Sequence, residues 1–240
     1  ITALGVPQAW GTLDLLGNTM QGEWAVQIQK LGVPAVATAM YTRAQKVITL
    51  TRHVQLIIAL ELRRQSARTA WALLKGPIAS GLDFDARVVH PLAFMALARP
   101  VQEAIDTTLK LVLQHHDMPI EHKLQLQLST NNGGFGMPLL EHKAATAAVV
   151  TAARVIPVVR NSLANYPSGA VEQALQVLID RGEAGLQLLD KAGVTIAVDG
   201  SVHRKANAPN AISAQQLSNF GSGITYRAIT DMLDNAKLDI

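Results

Sequence analysis

The sequence predicts a mainly α-helical fold: an irregular multi-helix bundle around a long central helix, with at most one or two short strands. Three observations lead there. Tyr41–Lys75 is a long run without Gly or Pro, and its middle, Val47–Leu62, is apolar on almost every side, as in a helix buried by neighbours all round. Leu139–Val155 is dense in alanine, the best helix former. Alternation of period two, the mark of a half-buried strand, is read only at Leu124–Leu128.

Taken in order, Ile1–Gly11 is a brief strand or an irregular lead-in punctuated by Gly5, Pro7 and Gly11. Thr12 or Asp14 is placed to cap a helix through about Leu31, with Leu13, Leu16, Met20, Trp24 and Ile28 at helical spacing. Gly17 and Gly22 weaken it by about 1 kcal/mol each. After Gly32-Val33-Pro34 the central helix follows, ended by Gly76-Pro77, and a loop carries Asp83 and Asp85. Pro91 starts a short helix to about Ala98. Pro100 opens the next, through about His115, with Val101, Ile105, Leu109, Val112 and Leu113 on its buried face. A short helical turn starts at Asp117-Met118-Pro119. The turn-rich Ser129–Pro138 precedes the alanine helix, whose small side chains should let a second helix approach closely and which Pro157 kinks or ends. A helix over about Gly169–Leu189, a loop or short extended piece at Gly193–Gly200, and a last helix over about Ser213–Leu238, interrupted near Gly221 and Gly223, complete the chain. It divides into an N-terminal helical part, 1–122, and a C-terminal part, 123–240, or forms one continuous domain.

Hydrophobic residues make up 49% of the 240 and charged residues only 16%. That is enough for a large core, with a charge content typical of a chain that hides surface in an assembly. Net charge is +3 and the isoelectric point about 9.3, which permits an RNA or phosphate partner without requiring one. The absence of cysteine excludes disulfides and cysteine-ligated metals. Val47–Leu62 and Ala144–Val159 are the best apolar windows, and charges and Pro157 interrupt both, so no membrane span is expected. A chain beginning with Ile is expected to be a processed product or a piece of something longer.

Candidate chemistry is sparse. Along an unbroken helix, Arg43, Lys46, Arg64, Arg68 and Lys75 share an arc of about 60°. They form either a cationic edge that holds a partner or long side chains that snorkel to water. His115-His116-Asp117 is the only histidine cluster, and adjacent helical positions diverge too far to chelate one ion. Asp83 and Asp85 are either two ligands of a Mg²⁺ site or turn and cap residues. Gly133-Gly134-Phe135-Gly136 is either an anion cradle or a tight turn with positive φ. No P-loop, dinucleotide or nucleophile-elbow motif is present. The chain is therefore read as non-enzymatic, with no cofactor, no metal and no small-molecule ligand.

One resemblance runs along the chain. The segment LQLQLSTNNGGFGMPLLEHKAATAAVVTAA, residues 124–153, resembles the glycine turn and alanine-rich helix that follow the palm in non-LTR retrotransposon reverse transcriptases of protist type. Leu4-Gly5-Val6-Pro7 resembles the block after the family's catalytic strands, and Gln45–His53 the start of its long thumb helix. Leu97–Asp106 is similar to the helix before the glycine turn, and Ala214–Leu217 through Asp234–Leu238 to the terminal helix. The blocks are short, and their order carries the resemblance. The family's aromatic-x-Asp-Asp signature, its Cys-His zinc pattern and its endonuclease carboxylates have no counterpart here. Ser129 or Thr130 stands where the family has proline before the glycine turn.

The resemblance implies a thumb and post-palm region without its palm, with the thumb-like part in 1–122. The expected role is a non-catalytic RNA-binding or scaffold subunit of a ribonucleoprotein in the nucleus or an organelle. RNA would be held by its backbone through Arg43, Lys46, Arg64, Arg68, Lys75, Arg204 and Lys205. The alternatives are a purely structural subunit of a large protein assembly, in contact with other protein subunits, and the C-terminal fragment of an active polymerase.

Overall fold

The computed structural model of the chain describes residues 12–15, 18–21, 34–59, 65–113, 118–137, 139–164, 168–205, 210–221 and 223–238. The fold is mainly α-helical, and its described β structure is two short antiparallel pairs. The elements are β1 (Thr12–Leu15), β2 (Asn18–Gln21), α1 (Pro34–Ala59), α2 (Gln65–Leu73), a π-helical turn (Leu74–Ile78), α3 (Asp83–Val88), α4 (Pro91–Leu113), α5 (Ile120–Gln127), a 3-10 turn (Thr130–Asn132), α6 (Leu140–Ser162), α7 (Ser168–Lys191), β3 (Val194–Ile196), β4 (Val202–Arg204), a 3-10 helix (Ala214–Asn219) and α8 (Tyr226–Leu238). They fall into two compact units, one of residues 1–85 and 92–118, the other of residues 86–91 and 119–240.

In the first unit, β1 and β2 pair in the register Thr12↔Gln21 to Leu15↔Asn18, where the apolar spacing suggested a helix. Leu13 and Leu15 also fit an alternating strand. The rest of that expected helix lies outside the described residues. The Tyr41–Lys75 stretch is not one straight helix. Helices α1 and α2 pack against each other. Two parts of one straight rod, separated by residues 60–64 at 1.5 Å rise per residue, cannot do so. The buried face of α1 is Ala44, Val47, Thr51 and Val54, and its outward face carries Gln45, Lys46, Thr49, Leu50, Arg52, His53 and Leu56.

Gly76-Pro77 does not end the helical path. Pro77 has no N–H to give to the carbonyl four residues back, and the chain widens into a π turn closed by the Ala79 N–H to the Leu74 carbonyl at 2.8 Å. Nor does Pro100 divide α4. Phe94, Ala98, Val101, Ile105 and Leu109 form one buried face that spans it, and this burial offsets the lost hydrogen bond. Val112 is half-buried and Leu113 exposed, so the expected face stops one turn early.

In the second unit the long central helix is α6, not residues 41–75. Pro157 lies inside it, and the helix continues to Ser162. Ala144, Ala145, Ala147, Ala148, Val149, Val150, Ala152, Ala153 and Ile156 are buried. Helix α7 lies against it at close range. A Cβ on Gly185 would stand 2.9 Å from the Ala148 Cβ and 3.0 Å from the Ala145 carbonyl oxygen, and one on Gly182 would stand 3.0 Å from the Ala152 Cβ. Small residues on both helices create this contact. By length and composition α6 would also cross a membrane, but just over half of its most apolar window, 56%, is buried inside the protein. The 3-10 helix covers α6 and α7 with Leu217 and starts in a capping box of Ser213 and Gln216. Residues 124–128, a possible strand by alternation, are instead in α5 and its C-cap, because Leu124 and Leu128 suit a helical face equally well.

Candidate functional site

Of the seven cations read from the sequence, Arg43 is committed within its own unit. Its Nε donates to both Asp85 oxygens at 3.0 and 2.8 Å, and its Nη2 to Oδ1. Asp85 is fully buried, and the Arg43 guanidinium lies 5.5 Å from the centre of the Phe84 ring. The hydrogen bonds from Arg43 to Asp85 hold its pKa above the usual arginine value. Lys46 on α1, Arg68 on α2 and Lys75 in the π turn are exposed, and among the described residues no ion pair involves them. Arg64 lies outside the described residues. Because α1 and α2 are separate packed helices, the single 60° arc does not exist as drawn. The two cations of the second unit are also engaged. Arg204 donates to the Asn235 carbonyl at 2.8 Å, and Lys205 pairs with Asp190 at 2.6 Å.

The other candidates resolve structurally. Asp83 and Asp85 occupy the first turn of α3, where carboxylates favour the helix dipole, and the pair with Arg43 takes Asp85 away from metal chemistry. Among the described residues no group of three His, Asp or Glu side chains is placed to hold a metal ion. His115, His116 and Asp117 lie outside the described residues. The glycine segment is a turn rather than an anion cradle. Its N–H groups are spent internally: Gly133 on Thr130, Gly134 on Ser129, Phe135 on Gln125, Gly136 on Leu128 and Met137 on Leu126. Gly133 and Gly136 have φ of 76° and 70°, and a Cβ on Gly134 would lie 2.3 Å from the Leu128 carbonyl oxygen.

A buried polar cluster that sequence reasoning missed anchors this turn. Asp234 of α8 accepts hydrogen bonds from the Ser129 N–H at 2.9 Å and the Asn132 side chain at 3.0 Å, and Lys237 stands 3.8 Å away. His142 of α6 joins them. Burial, then the Lys237 charge, lower its pKa to about 4, against a smaller upward pull from Asp234. Burial also lowers the Lys237 pKa, despite the favourable Asp234 charge. The only signal in the sequence is the Asp234/Lys237 spacing of three, which any surface helix pair shares.

A second missed group surrounds Arg181 of α7. Arg181 is 7% exposed, and its Nη2 donates to the Ala86 carbonyl at 3.3 Å and to the Arg87 carbonyl, closing the last turn of α3. Burial lowers its pKa to about 10. His90, half-buried nearby, is lowered by burial and by the Arg181 charge. On the β3–β4 hairpin, the Ser201 hydroxyl lies 2.6 Å from His203 Nε2 and donates to Asp199. A serine whose proton is already given to a carboxylate across its own turn is a turn-stabilising group rather than an activated nucleophile.

No family model matches the chain, and no curated protein or solved structure shows significant similarity to it.

Proposed function

We propose that this chain is a non-catalytic helical binding module that grips RNA by its phosphate backbone within a ribonucleoprotein, and that it descends from the thumb and post-palm region of a reverse transcriptase. One observation carries the binding part of the reading. The described residues from 34 to 85 hold five cations, Arg43, Lys46, Arg52, Arg68 and Lys75, against two carboxylates, and one of these, Asp85, is spent on Arg43. Lys46, Arg52, Arg68 and Lys75 are all exposed, and among the described residues no ion pair involves them. The order of the sequence blocks supports the descent. Few aromatics, 4% of the chain, favour backbone over base contacts.

The measurement is fluorescence anisotropy of a labelled RNA oligomer on the full chain across a salt series. Binding should weaken linearly in log Kd against log salt, and each of Lys46→Glu, Arg68→Glu and Lys75→Glu should lower the slope by about 0.7 to 1. Binding that ignores salt, or slopes that none of the three changes move, would remove the reading.

A purely structural role in a protein assembly is the second reading. It is favoured by Leu50 and Leu56, 39% and 58% exposed on the outward face of α1 beside Lys46 and Arg52. Salt-independent capture of a protein partner that Leu56→Glu abolishes would select it.

A further inference from the structure

We infer that Asn132 is a site of covalent modification, hydrolytic deamidation at Asn132-Gly133, which the tie to Asp234 slows and whose product loosens the glycine turn from α8. The inference stands apart from the RNA-binding reading and concerns the second unit alone. An asparagine followed by glycine is the pair most open to this reaction, because glycine has no Cβ to shield its backbone nitrogen. Asn132-Gly133 is the only such pair in the sequence. Both residues are exposed. The Gly133 N–H reaches the Thr130 carbonyl only at 3.4 Å, long for a hydrogen bond, and a Cβ on Gly133 would meet nothing within 4 Å, so the nucleophile is lightly held in open space. Once its proton is taken by solvent base, the Gly133 nitrogen attacks Asn132 Cγ. A cyclic imide forms, and the side-chain nitrogen takes up a proton and leaves as ammonia. Water then opens the imide at either carbonyl, giving aspartate or isoaspartate.

Tertiary structure sets both the rate and the effect. Asn132 Nδ2 donates to Asp234 Oδ2 at 3.0 Å, and Asp234 is 1% exposed. Ring closure must swing Cγ toward Gly133 and away from this carboxylate, so a hydrogen bond to a buried charge is lost on the way. That loss slows attack about tenfold to a hundredfold relative to the unfolded chain. In the product a carboxylate stands where an amide donated. Asp234 then loses a donor and faces a like charge, and among the described residues Lys237, at 3.8 Å, is the one cation in an ion pair with it. The Ser129 N–H, 2.9 Å from the same Oδ2, remains to hold the turn. Isoaspartate adds a backbone methylene as well, which displaces the N–H groups of Gly134, Phe135 and Gly136 from the Ser129, Gln125 and Leu128 carbonyls. Both products therefore loosen the turn from α8 and lower the stability of the unit.

The experiment incubates the full chain in mildly alkaline buffer, either folded or unfolded in guanidinium chloride. The proteolytic peptide that carries Asn132 is followed by mass spectrometry, and isoaspartate is scored by enzymatic methylation. The folded chain should convert about tenfold to a hundredfold more slowly than the unfolded one. Asp234→Ala should bring the folded rate up toward the unfolded one. Because that variant also takes the partner from Ser129 and Lys237, Asn132→Asp is the independent reading. Its thermal midpoint should fall by about 5 °C. Asn131→Asp, which adds the same charge at the exposed neighbouring position, should leave the midpoint in place. A folded rate outside that range on either side, or Asn132→Asp and Asn131→Asp variants that melt alike, overturns the proposal.

Discussion

The packing of α6 on α7 makes a prediction whose sign can be worked out from two glycines of the same helix. At Gly185 an added methyl would lie 2.9 Å from the Ala148 Cβ, 3.0 Å from the Ala145 carbonyl oxygen and 3.0 Å from Val149 Cγ2. None of these is the far end of a flexible side chain, so α6 and α7 must separate. Overpacking of this kind costs about 1–3 kcal/mol. Replacing glycine by alanine inside a helix returns about 1 kcal/mol through propensity, so Gly185→Ala should destabilise by about 1 kcal/mol net. At Gly169, near the start of α7, a Cβ would meet nothing within 4 Å. There only propensity acts, reduced by the terminal position, and Gly169→Ala should stabilise by about 0.5 kcal/mol. Chemical denaturation of both variants, followed by far-UV circular dichroism, gives the comparison. Equal shifts, or a Gly185→Ala variant as stable as the wild type, would mean that α6 and α7 do not approach to backbone contact.

Further outcomes follow from the buried charges. Arg43→Ala leaves the fully buried Asp85 carboxylate unpaired and should cost about 2–3 kcal/mol, somewhat under the full penalty of a broken buried pair because the Arg43 side chain is 35% exposed. Asp85→Asn should cost less, since the arginine left behind reaches water; equal losses would contradict the pairing. His142, with a pKa of about 4 against 6.5 unfolded, should make stability depend on pH. The unfolded chain takes the proton first, so stability is full above about pH 6.5 and falls as pH drops toward 4, by about 3 kcal/mol in all. Denaturation at several pH values should show that loss flattened in His142→Gln, and an unchanged profile would remove His142 as its source.

Much of the secondary structure was legible in local sequence. The alanine helix, the helix after it, the turn at Ser129–Pro138 and the interruption before the last helix all stand close to where composition placed them. Prolines misled more than any other residue. Pro77, Pro100 and Pro157 all sit inside helical segments, because long buried faces on either side hold the chain together at a cost local rules treat as a stop. The N-terminal hairpin was read as helix because Leu13, Leu16 and Met20 fit the helical period while only Leu13 and Leu15 mark the alternating one.

What the sequence by itself determined is the class of fold, because an apolar periodicity of 3.6 is a local property of the chain. What only the tertiary structure decided is the fate of each charge. Asp85 lies 42 positions from Arg43, Asp234 lies 105 from Ser129, and Arg181 lies 95 from the Ala86 carbonyl. Whether a cation stays exposed, as Lys46 and Arg68 do, or becomes an internal tie, as Arg43 and Lys205 do, depends on which distant carboxylate the packing of helices brings beside it. Burial then fixes the strength of that pairing, because the dielectric around a side chain is set by neighbours in space rather than in sequence.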